Sequence, residues 1–407
     1  MTTVSSSADP PESWRRNAGT LAVAQALGGA NPSIVVALGG LVGTTLAPDA
    51  AYATVPVSLL QLGLAAGTIP AALLMVRLGR RNAYLVGALV GVLAGSVAAA
   101  GIAAGSFLIF CLGTCLAGFY SSYVNSYRFA ATDDAAPEAR ARAISWVMTG
   151  GIAGGVIGPQ TVIWTRDLVP GAPFAGGFLG QAALALLSVV VLARLRASPA
   201  PAVPVAVAKG RPLAEIIGQR KFILAASAGL VSYGLMSLVM TAAPVAMVVE
   251  CGLSVNAATL GIQWHILAMF GPSLVTGRLI GRFGKIPVTV AGLVLIGAAA
   301  VVGLSGRDTA YFWTALVLLG IGWNFGFIGA TAMVTDCYRP EERAKVQAAN
   351  DFLVFGTVAL ASFSSGGLLS TGGWQAVNWL VFPFVALALL MIAFTRQRPH
   401  GDETMAQ

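Results

Sequence analysis

The sequence predicts an all-α polytopic membrane protein, and three observations support this fold class. Hydrophobic residues make up 57% of the 407 residues, whereas Asp, Glu, Lys and Arg together make up only 10%. In a soluble chain, about a quarter of the residues are charged. Apolar runs recur along the whole sequence, and about 20 such residues suffice for a helix to cross the hydrocarbon core of a bilayer. The 49 glycines favour close packing of these helices.

Twelve apolar segments are long enough to cross a bilayer, and we expect a transmembrane helix in each. The first contains Asn31-Pro32, and we expect a break there because proline lacks the backbone N–H of a helix interior. The segments cover residues 19–46, 53–76, 82–103, 106–129, 141–164, 174–194, 221–249, 255–280, 286–306, 309–334, 345–369 and 374–395.

A Pro- and Ala-rich stretch between the sixth and seventh segments divides the chain into two equal sets of spans. We predict an N-terminal six-helix half over residues 1–193, a cytoplasmic linker over residues 194–220 and a C-terminal six-helix half over residues 221–407. A short surface helix is expected within the linker, after Pro212.

The two halves also repeat each other in their loops. Residues 132–142 resemble residues 335–345, and the Arg-Leu-Gly-Arg loop at 77–80 resembles Arg-Phe-Gly-Lys at 282–285 at nearly the same separation. Because each half has an even number of spans, both enter the membrane in the same sense. In transporters built from such parallel repeats, the substrate binds near the midplane between the halves.

The basic residues predict the orientation in the membrane. All of the 24 Lys and Arg residues except Arg166 and Arg307 fall on one side of the predicted layout. Since short loops rich in Lys and Arg face the cytoplasm, we expect both termini there. The polar N-terminal segment lacks the pattern of a cleaved signal peptide. The net charge of +8 is spread over these loops, so the expected partner is the lipid bilayer and not nucleic acid.

Twelve spans, a central linker and basic loops after spans two and eight resemble the major facilitator superfamily over essentially the whole chain. The resemblance implies a transporter whose two halves rock to give alternating access. The family's loop motif usually has an aspartate just before its first arginine, where this chain has Val76 and Gly281. The Gly- and Pro-rich run at residues 154–159 in span five loosely resembles a motif associated with antiporters.

Side chains that could bind a metal inside the membrane occur in spans seven and eight. Met236 and Met240 are four residues apart in one span, and His265 and Met269 are four apart in the next. Residues at this spacing share one face of a helix. Asp, Glu, Lys and Arg are missing from the middle of every predicted span, and an ionisable group at that depth is a functional-site hypothesis, which singles out His265. Three thioethers and an imidazole suit Cu(I) better than ions that prefer oxygen ligands.

Each of these residues also has a purely structural explanation. A Met pair at helical spacing usually fills a core, and a lone intramembrane His often makes a hydrogen bond between helices. Met236 and His265 nevertheless lie at nearly the same depth, about 20 Å from the cytoplasmic ends of their spans at 1.5 Å per residue. This coincidence favours one midplane site, although the sequence does not show that the two helix faces meet.

The MxxxM motif in span seven and the HxxxM motif in span eight resemble those of the CcoA-type copper importers, a bacterial branch of the same superfamily. The resemblance implies that Met236, Met240, His265 and Met269 handle copper. It also implies copper import across the bacterial cytoplasmic (inner) membrane, for assembly of haem–copper cytochrome oxidase of the cbb3 type. Copper is then a transported substrate, delivered to a cytoplasmic or membrane acceptor. No prosthetic group is expected, and we expect a monomer.

Weaker candidates lie in spans four, seven and ten. Met247 and Cys251 continue the face of Met240 and could form an outer relay for Cu(I), or could pack at a helix end. Four polar residues could face a central cavity, or could make contacts between helices: Tyr123, Asn125, Tyr127 and Asn324.

Three functional hypotheses follow. The leading one is a copper importer that works by alternating access. The alternative is a major facilitator exporter of a neutral or amphipathic organic compound, in which the Met and His side chains form an adaptable cavity lining. The third is a membrane-embedded copper sensor or scaffold that binds copper without transporting it. The sequence contains no nucleophile–base pair, cofactor loop or carboxylate dyad, so we expect no enzymatic activity.

Overall fold

The computed structural model describes residues 13–133, 135, 139–196 and 210–396, and these residues form helices with short connections. Most of the predicted N-terminal tail, the centre of the predicted linker and the C-terminal tail lie outside the described residues. The first set of helices consists of α1 (Ser13–Leu46), α2 (Val55–Ala103), α3 (Phe107–Ala130), α4 (Arg140–Thr165) and α5 (Ala175–Leu192). The second set consists of α6 (Leu213–Ile217), α7 (Arg220–Val245), α8 (Val255–Phe270), α9 (Ser273–Phe283), α10 (Lys285–Ser305), α11 (Thr309–Val334), α12 (Arg343–Trp379) and α13 (Val381–Arg396).

Two helices continue beyond a single predicted span, α2 with 49 residues and α12 with 37, and each bends at a glycine. The backbone of α2 turns at Gly79 (φ 74°) and that of α12 at Gly373 (φ 65°), a conformation that residues with a side chain rarely adopt. Eight described helical segments are long and apolar enough to cross a membrane, and two of them, residues 50–103 and 345–394, contain these bends. The predicted spans five and eight coincide with α4 and with the α8–α9 pair, which are not among the eight.

One prediction about α1 is wrong, because this helix continues through Asn31 and Pro32 without a break. The Asn31 amide nitrogen donates hydrogen bonds to the Ala117 carbonyl and to the Ser121 hydroxyl of α3, each at 2.8 Å. In a helical bundle, neighbouring helices and polar side chains compensate for the missing proline N–H, so the helix is retained. The predicted short helix after Pro212 is present as α6.

Close approach between helices depends on glycines, as the composition predicts. A Cβ atom on Gly63 of α2 would lie 2.1 Å from the Cys115 carbonyl oxygen of α3. A Cβ atom on Gly150 of α4 would lie 2.1 Å from the Ala22 carbonyl oxygen of α1. Glycine therefore allows these backbones to touch, which maximises the van der Waals contact that holds membrane helices together.

Matching ion pairs occupy matching loops in the two sets. Arg80 Nε lies 2.6 Å from Asp133 Oδ2, and Lys285 Nζ lies 2.6 Å from Asp336 Oδ1. The basic residue of each pair follows a glycine, Gly79 or Gly284, and the aspartate lies just after the end of α3 or α11. Both pairs lie at the end of the molecule where most Lys and Arg residues lie. We call this end the basic end, and the other the far end.

The two sets meet toward the far end along three pairs of helices. Between α1 and α7, a Cβ atom on Gly40 would lie 2.7 Å from Val245 Cγ2. Between α2 and α12, the Ser58 hydroxyl donates to the Ser362 hydroxyl at 3.1 Å. Arg166 Nη1, directly after α4, donates to Asn256 Oδ1 in the first turn of α8 at 2.6 Å. The space between the sets is therefore closed toward the far end.

Candidate substrate cavity

A cavity of about 220 Å³ lies between the two sets of helices. Helices α1, α2, α3 and α4 line one wall, and α7 and α8 line the other. The polar side chains of the first set at this cavity are Gln25, Ser33, Gln61, Ser121, Asn125 and Arg128. The second set contributes Tyr233, Met236, Met240, Ile266, Met269 and Phe270.

The two walls differ in chemistry. The amide and guanidinium groups come from the first set, whereas the second set presents thioethers, aromatic rings and an aliphatic chain, with the Tyr233 hydroxyl as its polar group. Within the described part of the chain, the amides of Gln25, Gln61 and Asn125 form no hydrogen bond to another side chain or to the backbone. Their donors and acceptors are therefore available to a ligand.

The cavity extends along the axis that joins the basic end to the far end. Along α1 the lining residues run from Gln25, nearer the basic end, to Val36, nearer the far end. Beyond Val36 and Met240, the Gly40–Val245 contact brings α1 and α7 together. Asn125 and Arg128, close to the basic end of α3, are exposed. The described structure therefore has a cavity that is closed toward the far end and reaches toward the basic end.

Of the four residues predicted to bind copper, three meet at this cavity. Met236, Met240 and Met269 line it, although each side chain is largely buried. His265 is not among the lining residues, because its ring packs against α11, where Nδ1 lies 2.7 Å from the Leu316 carbonyl oxygen. Four residues turn a helix by about 400°, which is about 40° more than one full turn. The two side chains of an i,i+4 pair therefore point in slightly different directions and do not have to face the same cavity.

The predicted outer relay does not follow the face of Met240. Residues Ala246–Glu250 form a π turn, which changes the helical periodicity on which the prediction depended. Met247 is fully buried, and its carbonyl oxygen accepts a hydrogen bond from the Leu253 N–H at 2.8 Å. Neither Met247 nor Cys251 lines the cavity, and both lie toward the far end, beyond its closed end. Their surroundings match the alternative of packing at a helix end.

Of the four polar residues that could face a cavity or make contacts between helices, Asn125 lines the cavity. Tyr123 packs onto Gly87 of α2, and Tyr127 packs edge-on against Tyr84 with ring centroids 4.7 Å apart. Asn324 is buried inside the second set, where its amide nitrogen donates to the Met269 carbonyl at 2.6 Å. Tyr123, Tyr127 and Asn324 therefore make contacts between helices.

Sequence reasoning missed four important lining residues, which are Gln25, Gln61, Arg128 and Tyr233. Gln25 and Gln61 are polar residues within apolar spans and could have been identified on that ground. Arg128 was assigned to a span end, and its access to the cavity depends on how α3 packs. Among the described residues, no group of three or more His, Cys, Asp or Glu side chains could hold a metal ion.

Comparison with known proteins identifies the family. Residues 20–272 and 225–405 match the family model of the Major Facilitator Superfamily. The chain belongs to the major facilitator superfamily. The crystal structure of the nucleoside transporter NupG shares the fold with a TM-score of 0.73 at 16% identity, covering 93% of this chain and 99% of that chain. The predicted all-α membrane fold of this superfamily is therefore confirmed.

Two relatives align over almost the whole chain. The riboflavin transporter RfnT of Brucella anthropi is 60% identical over 388 residues, which are 95% of this chain and 97% of that protein. An uncharacterized MFS-type transporter of Bacillus subtilis, YdeG, is 30% identical over 400 residues, covering 95% of this chain and 93% of that protein.

The similarity to RfnT overturns the copper-importer hypothesis. Two short motifs in spans seven and eight were the basis for three inferences: copper as the substrate, a copper acceptor and a supply of copper to cytochrome oxidase. A relative that is 60% identical over 95% of the chain transports riboflavin, an organic molecule, and outweighs four matched side chains. Methionine is a common filler of irregular cores and cavities, so MxxxM carries little specificity in an apolar helix.

Proposed function

We propose that this protein transports riboflavin across the bacterial cytoplasmic membrane by alternating access, without chemical change to the vitamin and without a prosthetic group. The observation that carries the proposal is the 60% identity to the riboflavin transporter RfnT over 95% of the chain. The chemistry of the cavity lining supports the same substrate class, because riboflavin is a neutral molecule with one apolar and several polar regions.

The cavity fits a neutral amphipathic aromatic compound. Tyr233 and Phe270 offer ring surfaces to a planar ligand, and the three methionines of the second set offer polarizable thioethers that adapt to its outline. The amides opposite them can both donate and accept hydrogen bonds. The proposal thus retains the substrate class of the alternative hypothesis, a neutral or amphipathic organic compound.

The described structure corresponds to one state of the transport cycle. The contacts between α1 and α7, between α2 and α12 and between α4 and α8 close the cavity toward the far end. We assign the basic end to the cytoplasm, because basic loops are retained on that side. The structure is then the inward-facing state, and both termini are cytoplasmic.

The direct test is transport of riboflavin by cells that depend on it. The gene is expressed in a riboflavin-auxotrophic bacterium that lacks its own transporter, and uptake of radiolabelled riboflavin is measured beside an empty vector. We expect growth at low external riboflavin and accumulation of the label. Inside-out vesicles from the same cells measure transport in the opposite direction. Protein that is present in the membrane but moves no riboflavin in either assay would refute the proposal.

A further inference from the structure

We infer that the flavin ring lies across the cavity with its pyrimidinedione edge against the amides of the first set and its dimethylbenzene edge against the methionines of the second. Gln25, Gln61 and Asn125 are then the residues that determine specificity for the polar edge. This inference rests on the proposed function and deepens it, because it assigns each edge of the substrate to a different half of the transporter.

The two walls differ in their polar and aromatic groups. The carboxamides of the cavity lie on the first wall, beside aliphatic side chains and Met148, whereas its aromatic rings and three of its four methionines lie on the second. In the flavin ring system, one edge carries an imide, which consists of an N–H flanked by two carbonyl groups. The opposite edge carries two methyl groups on a benzene ring and has no hydrogen-bonding atom. The two edges therefore complement the two walls in one orientation only.

The amides of the first wall have unused hydrogen-bonding capacity. Gln25, Gln61 and Asn125 make no hydrogen bond with other described residues, although they line a cavity in the apolar part of the fold. A carboxamide has both donors and an acceptor, which is what an imide edge requires. The reverse orientation would place methyl groups against the amides and carbonyl groups against thioethers, and unpaired polar groups removed from water are costly.

The aromatic wall is held in place by further rings. The Tyr233 ring packs edge-on against Trp323 and Phe327, with centroids 5.2 Å and 5.0 Å apart. Phe270 also contacts Trp323, with centroids 6.1 Å apart. Because Trp323 packs against both cavity rings and Phe327 against Tyr233, the wall offers a preformed surface, and a planar ligand does not have to order it.

The test compares riboflavin with two analogues, each changed at one end. In the first analogue, a methyl group replaces the imide hydrogen. In the second, lumiflavin, a methyl group replaces the ribityl chain. Competition with radiolabelled riboflavin uptake is measured for the wild type and for Gln25→Leu, Gln61→Leu and Asn125→Leu. Met148→Leu is the matched control, because Met148 lines the same wall without a hydrogen-bonding amide.

In the wild type we expect the imide-methylated analogue to compete roughly tenfold less well than riboflavin, the effect of about one lost hydrogen bond that leaves a polar partner unpaired. The ratio between competition by riboflavin and competition by the imide-methylated analogue should fall to about twofold or less in at least one amide variant. The same ratio should stay near tenfold in Met148→Leu. The ratio for lumiflavin should be the same in all variants. Since each ratio is measured within one variant, reduced expression does not affect it.

Two results would overturn the assignment. If every amide variant that transports riboflavin keeps the wild-type ratio for the imide-methylated analogue, the amides do not contact this edge. If the amide variants instead lose discrimination against lumiflavin, the amides bind the ribityl chain and the ring has another orientation. A wild-type protein that transports no riboflavin would refute the proposed function itself, which is a separate outcome. Asn125→Ser and Gln25→Met replace any leucine variant that fails to reach the membrane.

Discussion

Gln160 Nε2 donates a hydrogen bond to Gln263 Oε1 at 2.9 Å and so joins α4 of the first set to α8 of the second. This bond lies between the cavity and the far end, where the Ser58–Ser362 and Arg166–Asn256 hydrogen bonds also join the two sets. In a transporter that works by alternating access, such bonds must break before the far end opens. They therefore stabilise the described state relative to the opposite one.

Replacing Gln263 by alanine should shift the transporter toward states that open at the far end. A hydrogen bond contributes about 0.5–1.5 kcal/mol, so the population should change roughly 2–10-fold. A cysteine introduced by Val36→Cys, in a background without the native cysteines, reports the change. Its labelling by a membrane-impermeant maleimide from the periplasmic side should become faster in Gln263→Ala.

Gln181→Ala is the matched control, because Gln181 is a buried glutamine of α5. It should leave the labelling rate of the cysteine at position 36 unchanged. Equal labelling rates in Gln263→Ala and in the parent would mean that the Gln160–Gln263 bond does not restrain opening.

Gly63→Ala should destabilise the protein through the contact between α2 and α3. The added Cβ atom would lie 2.1 Å from the Cys115 carbonyl oxygen and 3.2 Å from Gly118 Cα, so the two backbones would have to separate. Overpacking of this kind costs about 1–3 kcal/mol. Thermal unfolding of the purified protein in detergent should show a lower midpoint. Gly277→Ala, where a Cβ atom meets nothing within 4 Å, should leave the midpoint unchanged or raise it.

The sequence predicts the fold more fully than the site because each depends on a different property. Helix number and loop repeats follow from hydropathy and from motifs such as those around Gly79 and Gly284, which need no knowledge of packing. The site depends on the rotation of each helix about its axis. Met236 and Met269 line the cavity, whereas His265, one turn from Met269, faces α11 because α8 packs tightly there.

The substrate could not be predicted from the chosen motif, because its side chains also serve ordinary packing. A methionine such as Met240 can line a cavity for an organic ligand as readily as it can bind a soft metal. The more informative residues were Gln25 and Gln61, whose amides are unusual in apolar spans and have no partner among the described residues. A search for polar groups of any kind in the spans would have favoured an organic substrate over an ion.

His265→Ala should lower stability without changing substrate affinity. The His265 ring is fully buried and its Nδ1 is hydrogen-bonded to the Leu316 carbonyl, so truncation leaves a void and an unpaired carbonyl between α8 and α11. The cost of the unpaired group alone is about 1–3 kcal/mol. We expect a lower thermal midpoint, with a riboflavin Kd, measured by quenching of flavin fluorescence, within about twofold of the wild type.

Cellular copper content should also be the same in cells that express the wild type and His265→Ala. By contrast, Met240→Ala, which removes a side chain from the cavity wall, should weaken riboflavin binding while copper content again stays constant. A large loss of riboflavin affinity in His265→Ala at an unchanged thermal midpoint would show that the imidazole acts on the substrate.

The Arg211–Glu342 ion pair should make stability depend on pH. Arg211 Nη2 lies 2.8 Å from Glu342 Oε2, and the Glu342 carboxylate also accepts hydrogen bonds from the backbone N–H groups of Arg339 and Arg211, each at 2.9 Å. The Arg211 side chain first, and these N–H groups in addition, hold the pKa of Glu342 well below its usual range. The pair connects the segment before α6 to the loop before α12.

Because the folded-state pKa of Glu342 is lowered, its contribution to stability is present at neutral pH, above the unfolded-state pKa of about 4.3. The contribution is lost as the pH falls below that value toward the folded-state pKa. Glu342→Gln should therefore unfold at a lower temperature than the wild type at pH 7, and the difference should shrink as the pH is lowered through the acidic range. Glu341→Gln, a change at the exposed neighbouring carboxylate, is the control and should match the wild type at each pH. A difference between Glu342→Gln and the wild type that stays constant with pH would mean that the substitution acts through packing and not through the charge of Glu342.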